Sequence, residues 1–172
     1  MKKLLNQSFF NRETITVAEE LIGKFLIREF RGKKYSFMIT ETEAYDGFED
    51  KASQAHRGKT KRNEVMFRDA GTIYVYLTYG MHFMLNIITG DKEFPAAVLI
   101  RGVEEVSGPG RLTHALHITK ALNTKRLGKK SKLWIEDRGI IISKNQIDRT
   151  PRIGINCEEK WKQKPYRFIL KL

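Results

Sequence analysis

The sequence feature that most limits the possible folds is an alternating run, IYVYLTYGMHFMLNI, at residues 73–87. Neighbouring side chains of a β-strand point to opposite faces, so this run has an aliphatic and an aromatic face. The two faces comprise Ile73, Val75 and Leu77 on one side, and Tyr74, Tyr76 and Thr78 on the other. Tyr79-Gly80 interrupts the run, and glycine accepts the positive φ of a tight turn. The pattern therefore predicts a β-hairpin over residues 72–88 with Tyr79 at its tip.

An aromatic side chain at the tip of a hairpin has no protein core to fill. Tyr74 is explained by ordinary cross-strand packing, and Tyr76 either packs in the same way or contributes to a site. Tyr79 has no such explanation. We interpret it as a wedge for a partner, and in a basic protein the natural partner is a stack of nucleic-acid bases.

Two glutamates lie two residues apart in the strand-like sequence TETEAY. Glu41 and Glu43 therefore project from one face, together with Tyr45, which would give Glu43 an aromatic wall. Paired carboxylates can act as acid and base, so one hypothesis is a catalytic dyad. The alternatives are a single catalytic glutamate, or a solvated strand surface with no chemistry. The spacing alone leaves all three open.

The sequence before residue 64 predicts a helix, a first hairpin and a long loop. Thr16 to Glu19 matches a capping box, so a helix is expected from Thr16 to about Ile22, where Gly23 ends it. KFLIREF and KKYSFMITETEAY have the composition of strands, joined through residues 31–34. Residues 46–63 are polar, and a loop of this length is more often functional than idle.

The remaining sequence predicts further strands around one short helix. EFPAAVLIRGVEE predicts a strand ending on Arg101, and RLTHALHIT a helix after the Gly108-Pro109-Gly110 break. LWIEDRGIIIS, PRIGIN and PYRFILKL predict the closing strands. At 172 residues, the chain is expected to be a single domain, residues 1–172, of the mixed α+β class.

The charge is strongly positive and uneven along the chain. The sequence has 32 Lys and Arg against 20 Asp and Glu, for a net charge of +12. Residues 1–100 contain 15 basic and 13 acidic side chains, whereas residues 101–172 contain 17 and 7. This excess favours a polyanionic partner, although a solubility surplus explains it equally well. The candidates for phosphate contacts lie in a segment that could also be an ordinary solvated loop: Lys120, Lys125, Arg126, Lys129, Lys130 and Lys132.

Other residue types point away from several classes of site. His114 and His117 lie three apart on the predicted helix but lack a third convergent ligand, so no metal is expected. Cys157 is the only cysteine, which excludes a disulfide within the chain and indicates a small packing residue. The start, MKKLLNQ, lacks the apolar run of a secretory signal, and no segment is apolar enough to span a membrane. We therefore expect a cytoplasmic protein.

Five segments in order carry a resemblance to a known family. ETEAYDG, MFRDAGTIYVYLTYGMHFMLN, AAVLIRGVE, GPGRLTHALHI and PRIGIN-x4-W-x3-PYRF resemble the alkyladenine (3-methyladenine) DNA glycosylases, over about residues 8 to 170. The resemblance implies a monofunctional base-excision repair enzyme without metal or other cofactor. Such enzymes flip a damaged purine out of double-stranded DNA and hydrolyse its N-glycosidic bond.

The resemblance also implies a fold and a setting. The expected fold is a curved, antiparallel, barrel-like sheet with short flanking helices and a protruding, DNA-intercalating hairpin. The expected substrates are alkylated or deaminated purines such as 3-methyladenine, 7-methylguanine, hypoxanthine and ethenoadenine. The expected protein is a monomer, cytoplasmic and associated with the nucleoid.

The family's catalytic roles fall on three positions of this sequence. Glu43 matches the general base that activates water for attack on the sugar C1′. Arg101 matches the arginine that helps to hold this water, together with a main-chain carbonyl that falls at Ile153.

Its DNA-binding roles fall on four further positions. Tyr45 and Tyr76 match the aromatic residues that sandwich the flipped base. Tyr79 matches the residue that fills the vacated stack, and Asn86 matches the asparagine that discourages the guanine amino group.

One position departs from the family pattern. Where the family loop has a histidine that stacks on the flipped base, this sequence has Gln54 in DKASQA. Gln54 keeps a backbone N–H for the base edge but has no aromatic ring. His56 lies two residues later, and a swing of this loop could bring it in. The substitution bears on substrate range and rate, and the reaction type is expected to be unchanged.

Two rival functions remain at this point. A non-catalytic DNA- or RNA-binding protein would use the aromatic residues and the basic charge without any need for Glu43 as a base. A hydrolase of free nucleosides would use Glu41 with Glu43 and would need no duplex.

Overall fold

The computed structural model describes residues 2–171, in which short helices flank one antiparallel sheet. The helices are α1 Gln7–Phe10, α2 Thr14–Glu20, α3 Pro109–Ala115 and α4 Glu159–Lys162. The strands are β1 Lys3–Leu4, β2 Phe25–Phe30, β3 Lys33–Asp46, β4 Ile73–Thr78, β5 His82–Ile88, β6 Ala96–Val103, β7 Val106–Ser107, β8 Leu133–Asp137, β9 Ile147–Thr150 and β10 Arg167–Leu170. The sheet is ordered β1-β8-β2-β3-β6-β5-β4, with β7 beside β6, and β10 between β3 and β9.

Strand β3 is the longest strand among the described residues, and it changes partners along its length. Its first half pairs with β2 through a tight turn in which Arg31 and Gly32 both have positive φ. Its second half pairs with β6 on one side and with β10 on the other. Glu41 and Glu43 lie in this second half, so strands flank them on both sides.

A register shift interrupts the pairing of β3 with β6 beside the two glutamates. Thr42 lies opposite Ile100, and Glu41 lies opposite Gly102, so Arg101 has no residue opposite it on β3. Such an extra residue turns a side chain out of the regular alternation, and irregularities of this kind are frequent next to active sites. Arg101 therefore lies within β6, not at the strand end that the sequence suggested.

The alternating run at residues 73–87 forms the antiparallel pair β4 and β5. Thr78 pairs with His82, and both Tyr79 and Gly80 have positive φ, at 50° and 70°. Ile73 and Val75 are buried in the main hydrophobic core, as predicted for the aliphatic face. Leu77, near the end of β4, is instead 43% exposed.

Two clusters of buried side chains lie on the two faces of this hairpin. The larger joins the sheet to helices α2 and α3. The smaller lies under the long loop and consists of Ala55, Val65, Met66, Phe67, Tyr74, Ile88 and Ala97. Tyr76 packs against it from the edge. The aromatic face of β4 is thus partly a packing surface, as expected for Tyr74.

Several expectations are corrected. Helix α2 begins at Thr14 after Glu13, so Thr16 is inside the helix and is not its N-cap. PRIGIN, at 151–156, is not a strand in the structure, whereas β1, β7 and β9 are strands that the sequence did not predict. Across residues 2–171 no pairing joins the end strands β1 and β4, so the sheet is open and the barrel-like closure is wrong. In the same range, no helix has the length and apolar character needed to cross a membrane.

Candidate active site

Glu43 is fully buried in the middle of the sheet, and three groups surround its carboxylate. The Ile153 backbone N–H donates to Oε1 over 2.8 Å, and the Tyr45 hydroxyl donates to Oε2 over 2.9 Å. The Nε of Arg101 lies 3.5 Å from Oε1. These contacts come from β3, β6 and the segment after β9, so the fold itself assembles them around one carboxylate.

Burial changes the pKa of both Glu43 and Tyr45. It raises the pKa of the Glu43 carboxyl, while Arg101, the Ile153 N–H and the Tyr45 hydroxyl lower it by less. A glutamate with a raised pKa is a stronger base than a glutamate in water, as general-base catalysis requires. Burial, followed by the charge of Glu43, holds the pKa of Tyr45 well above its usual value. Tyr45 therefore stays protonated and acts as a hydrogen-bond donor.

Next to Glu43 is a pocket with aromatic walls. It is lined by Tyr45, Ala52, Ser53, Gln54, Met66, Tyr74, Tyr76, Thr78, Asn86, Ala97, Gly154, Ile155 and Asn156. The Tyr74 and Tyr76 rings lie 5.2 Å apart at a tilt of 40°. A concave site with aromatic walls and a few amides suits a flat, polar-edged molecule such as a nucleobase.

Asn86 is a buried residue in the lining of this pocket. Its side-chain nitrogen donates weakly, over 3.4 Å, to the main-chain oxygens of Tyr74 and Met84. These contacts join the amide to both strands of the hairpin. Asn86 therefore has a fixed place on the pocket wall, as an amide that a bound molecule can contact.

Gln54 also lines the pocket, with its side chain held by Tyr74. The Tyr74 hydroxyl lies 3.1 Å from Gln54 Oε1 and 3.1 Å from the Arg62 carbonyl oxygen. Burial raises the pKa of Tyr74, so its hydroxyl remains a donor. His56 is outside this pocket, with Nδ1 2.8 Å from the Ser53 carbonyl oxygen. At this position Gln54 therefore presents an amide and no aromatic ring to the pocket, and His56 does not line the pocket.

A buried ion pair fixes the segment that supplies Ile153. Arg152 donates to both oxygens of Asp50, over 2.5 and 2.9 Å, and also to the Ala44 carbonyl oxygen. Burial lowers the pKa of Arg152, but the pairing with Asp50 outweighs it, so the pKa is raised overall. The pair joins the loop after β3 to the segment after β9. It therefore holds the Ile153 N–H on Glu43.

Glu41 shares a face with Glu43, as the spacing predicted, but it has different partners. Its Oε1 accepts from the Nε of Arg101 over 2.9 Å and from the Nε of Arg167 over 2.6 Å. Arg167 lies directly across from Glu43 in the pairing of β10 with β3. The two carboxylates therefore lie in one cluster with two guanidinium groups.

Tyr79 lies apart from the pocket, at the tip of the β4–β5 pair. Its side chain is 83% exposed, and Met81 beside it is 69% exposed. A positive φ is uncommon and strained for a bulky residue such as Tyr79. Thr78 lines the pocket, so the tip is only one residue away from it.

The structure also places the remaining candidates. The six basic residues of the segment 120–132 are all exposed, and Thr124 and Lys125 bond to the backbone of Ile73 at the base of the hairpin. His117 stacks on Phe30 with ring centroids 4.4 Å apart. Within residues 2–171, no group of three or more His, Cys, Asp or Glu could hold a metal ion. Cys157 is half-buried.

Sequence reasoning missed three features of this site. Asp50 and Arg152 are 102 residues apart, and Glu41 and Arg167 are 126 apart, so no local pattern links either pair. The β6 register shift at Arg101 leaves no residue signature. For these missed contacts, the usable local signal was the TETEAY spacing, since it put both glutamates on one face.

Comparison with known proteins gives consistent results. The family model described as methylpurine-DNA glycosylase matches residues 8–107 and 104–172. A protein from Ehrlichia chaffeensis is 42% identical over 97% of this chain and 93% of its own length. One from Carboxydothermus hydrogenoformans is 41% identical over 98% and 95%, and one from Clostridium perfringens strain 13 is 36% identical over 97% and 95%. All three are called "Putative 3-methyladenine DNA glycosylase".

Proposed function

Because this chain belongs to the methylpurine-DNA glycosylase family, whose members hydrolyse N-glycosyl bonds, we propose that it excises damaged purines from duplex DNA. The substrates proposed are 3-methyladenine, 7-methylguanine, hypoxanthine and ethenoadenine, and the product is an abasic site. Residues 1–172 would act as one glycosylase domain, as a monomer, on DNA of the nucleoid.

The observation that best supports this proposal is the environment of Glu43. A buried carboxylate with a raised pKa, next to an aromatic pocket, has the properties of a general base for water attack on C1′. The water gives its proton to Glu43, its oxygen bonds to C1′, and the base leaves with the electron pair of the glycosidic bond. In this mechanism Arg101 and the Ile153 carbonyl hold the water.

The aromatic lining of the pocket supports the proposal that it receives the flipped base. Tyr45 and Tyr76 would stack on the two faces of the purine, and Asn86 would reject the guanine amino group. Flipping costs a few kcal/mol, and aromatic stacking returns roughly 1–3 kcal/mol per base. Two tyrosines, with Tyr79 filling the vacated stack, are therefore enough to offset the cost.

The lesion preference follows from the charge on the base. Alkylation at N3 or N7 makes the purine cationic, so that it leaves readily and attracts electron-rich tyrosine rings. Neutral lesions need protonation of the leaving base as well. Gln54 brings no ring to this wall, so we propose that cationic alkylpurines are processed faster than hypoxanthine or ethenoadenine.

The rival functions have less support. A nucleoside hydrolase would need Glu41 as a second acid or base, but its Oε1 already accepts from two arginines. A non-catalytic binder has no use for a buried carboxylate with three polar neighbours. Membership of an enzyme family also argues against it.

The test is single-turnover release of each of the four bases from duplex DNA, with wild type compared with Glu43→Gln. We expect release of 3-methyladenine and 7-methylguanine by the wild type, and a loss of about a hundredfold or more in the variant. Glu41→Gln is the matched control, because it keeps an oxygen acceptor for both arginines. Tight DNA binding without release of any lesion would overturn the proposal, and so would full activity of Glu43→Gln.

A further inference from the structure

We propose that Arg101 and Arg167 form a binding site for one phosphodiester group of the DNA backbone, with Glu41 as the residue that positions them. The phosphate would be one of the two that flank the flipped nucleotide. This inference rests on the proposed function, because it needs that nucleotide to lie at Glu43.

The two arginines are held in an unusual way. Each uses its Nε–H to bond to the same atom, Oε1 of Glu41, over 2.9 Å for Arg101 and 2.6 Å for Arg167. The Glu41 side chain is 10% exposed, while those of Arg101 and Arg167 are 12% and 21% exposed. A shared acceptor makes the two guanidinium groups neighbours in a largely enclosed cluster that solvent still reaches.

The terminal nitrogens of both arginines are left for a ligand. Within residues 2–171, neither Nη1 nor Nη2 of Arg101 or Arg167 makes a hydrogen bond. Arginine has five N–H donors, and four of them are on these two nitrogens. Paired terminal nitrogens match the oxygens of a phosphate group in a bidentate arrangement. Two such forks side by side suit one phosphodiester group.

Hydrogen-bond donors, and not net charge, favour an anion at this cluster. Arg101 and Arg167 both face Glu41, and the Nε of Arg101 also lies 3.5 Å from Glu43 Oε1, so two carboxylates match two guanidinium groups. The Glu43 oxygens also accept from the Ile153 N–H and the Tyr45 hydroxyl. The terminal nitrogens of the two arginines therefore remain as charged donors to which the oxygens of a phosphodiester can bind.

The backbone is shaped to hold Glu41 in place. Gly102 lies opposite Glu41, and a Cβ atom at that position would lie 3.1 Å from Glu41 Cβ and 3.3 Å from Oε2. Glycine therefore makes room for the carboxylate. The register shift beside it leaves Arg101 unopposed, free to reach both glutamates.

The position of the site selects the phosphate. Arg101 Nε is 3.5 Å from Glu43 Oε1, so the cluster borders the group proposed to activate the water. The anions covalently joined to the reacting sugar are its own two phosphates. Binding one of them would place C1′ relative to Glu43, as the positioning of a reacting group requires.

The test measures DNA binding without catalysis. The duplexes contain a tetrahydrofuran abasic analogue, which cannot release a base, and one uncharged methylphosphonate linkage. This linkage replaces the 5′ flanking phosphate, the 3′ flanking phosphate or a phosphate one helical turn away. We expect the wild-type Kd to rise about tenfold for one flanking position, as for loss of hydrogen bonds to a charged group, and little for the distant one.

Arg167→Lys keeps the charge but removes the fork. We expect the Kd of the variant for unmodified DNA to be about tenfold higher than that of the wild type. Placing the methylphosphonate at the flanking position that weakens wild-type binding should raise the variant's Kd by less than about twofold further. The matched control is Arg149→Lys on the adjacent strand β9, since Arg149 already uses Nε and Nη2 on Glu19. This control should behave as the wild type. Equal methylphosphonate sensitivity in Arg167→Lys and wild type would overturn the site.

Two Glu41 variants test its positioning role. Glu41→Gln retains an oxygen acceptor and should keep most of the methylphosphonate sensitivity, whereas Glu41→Ala should lose it. Thermal unfolding shows whether each variant is folded. If folded Glu41→Ala retains the full sensitivity, Glu41 does not position the pair.

These experiments distinguish failure of the proposed glycosylase reaction from failure of the proposed phosphate site. Methylphosphonate sensitivity without base release from any lesion would sink the glycosylase reaction and keep the phosphate site. Base release that depends on Glu43, without sensitivity at either flanking position, would do the reverse.

Discussion

At the scale of single residues, Glu43 combines two demands that oppose each other. As the proposed general base, Glu43 must be ionised to accept a proton, yet its carboxylate is fully buried, and burial raises its pKa. The Ile153 N–H, the Tyr45 hydroxyl and Arg101 recover part of the lost hydration. In the proposed mechanism, the protein would therefore lose stability at Glu43 in exchange for reactivity, as is common for catalytic groups.

This conflict predicts a pH-dependent gain in stability from Glu43→Gln. Between the ordinary glutamate pKa, about 4.3, and the raised folded value, the native state binds more protons than the unfolded state. Wild-type stability therefore falls as pH rises through this window, and glutamine has no proton to lose. The free energy of unfolding of the variant, relative to wild type, should increase as pH rises from about 4.3 to the raised pKa of folded Glu43. A difference that stays constant with pH would contradict it.

The same pKa governs catalysis in the opposite direction. Because only ionised Glu43 accepts a proton, the single-turnover rate of the wild type should rise with pH through that window. The point at which stability is lost and the point at which activity appears should therefore coincide.

Gln54 gives a second prediction at this scale. Gln54→His adds a ring to the pocket wall and removes the amide from Tyr74. We expect the single-turnover rate for ethenoadenine, relative to that for 3-methyladenine, to increase about fivefold, as for about 1 kcal/mol of stacking. Gln54→Ala is the control that removes the amide without adding a ring. If the ratio of the ethenoadenine rate to the 3-methyladenine rate is unchanged in Gln54→His, residue 54 does not determine the lesion preference.

At the scale of elements, the tip of β4 and β5 is exposed, aromatic and strained. Tyr79→Gly removes the ring and relieves the positive φ, so the variant should be more stable by about 0.5–1 kcal/mol. Tyr79→Ala removes the ring alone. Both should weaken base flipping, followed by the fluorescence of a 2-aminopurine beside the lesion, more than they weaken ground-state DNA binding.

The control for the tip is a matched loss of exposed apolar surface. Ile141, between β8 and β9, is 90% exposed, and Ile141→Ala should leave flipping unchanged. Equal losses of flipping and of ground-state binding in Tyr79→Ala would count against the wedge.

The elements themselves were partly predictable from sequence. Alternation gave β4 and β5, and the apolar runs gave β2, β3, β6, β8 and β10, because side-chain period reports local geometry. The two-residue strand β1 is too short to show a period. The PRIGIN segment resembles a strand in composition, yet the Asp50–Arg152 pair and the Ile153–Glu43 bond hold it as a loop. Tertiary contacts overrode local preference there.

The candidate site was less predictable than the elements. The face shared by Glu41 and Glu43 follows from spacing, but the partners of these residues do not. Arg101 reaches Glu41 through a register shift, and Arg167 reaches it through a strand that pairs across more than a hundred residues. Neither depends on local sequence, so only the fold brings them together.

At the scale of the whole molecule, charge should govern the affinity for DNA. The net charge is +12, and the exposed basic segment 120–132 bonds to the base of the hairpin. Log Kd should rise linearly with log salt, by about 0.9 for each phosphate neutralised. Lys129→Ala with Lys130→Ala should reduce that slope by about 2 and weaken all sequences alike. An unchanged slope would place this segment away from DNA.

The contacts of Glu43 also determine when a newly made chain becomes able to act. Its partners come from residues 45, 101 and 153, and the strand beside it is β10, Arg167–Leu170. A nascent chain on the ribosome that has exposed only β1 to β6 already contains Tyr79, but its Glu43 has no Ile153 N–H and no β10 neighbour. For the glycosylase proposed above, we expect such a chain to release no base. Formation of abasic sites, which are themselves harmful, would then begin only after the segment of Ile153 and β10 have folded against Glu43.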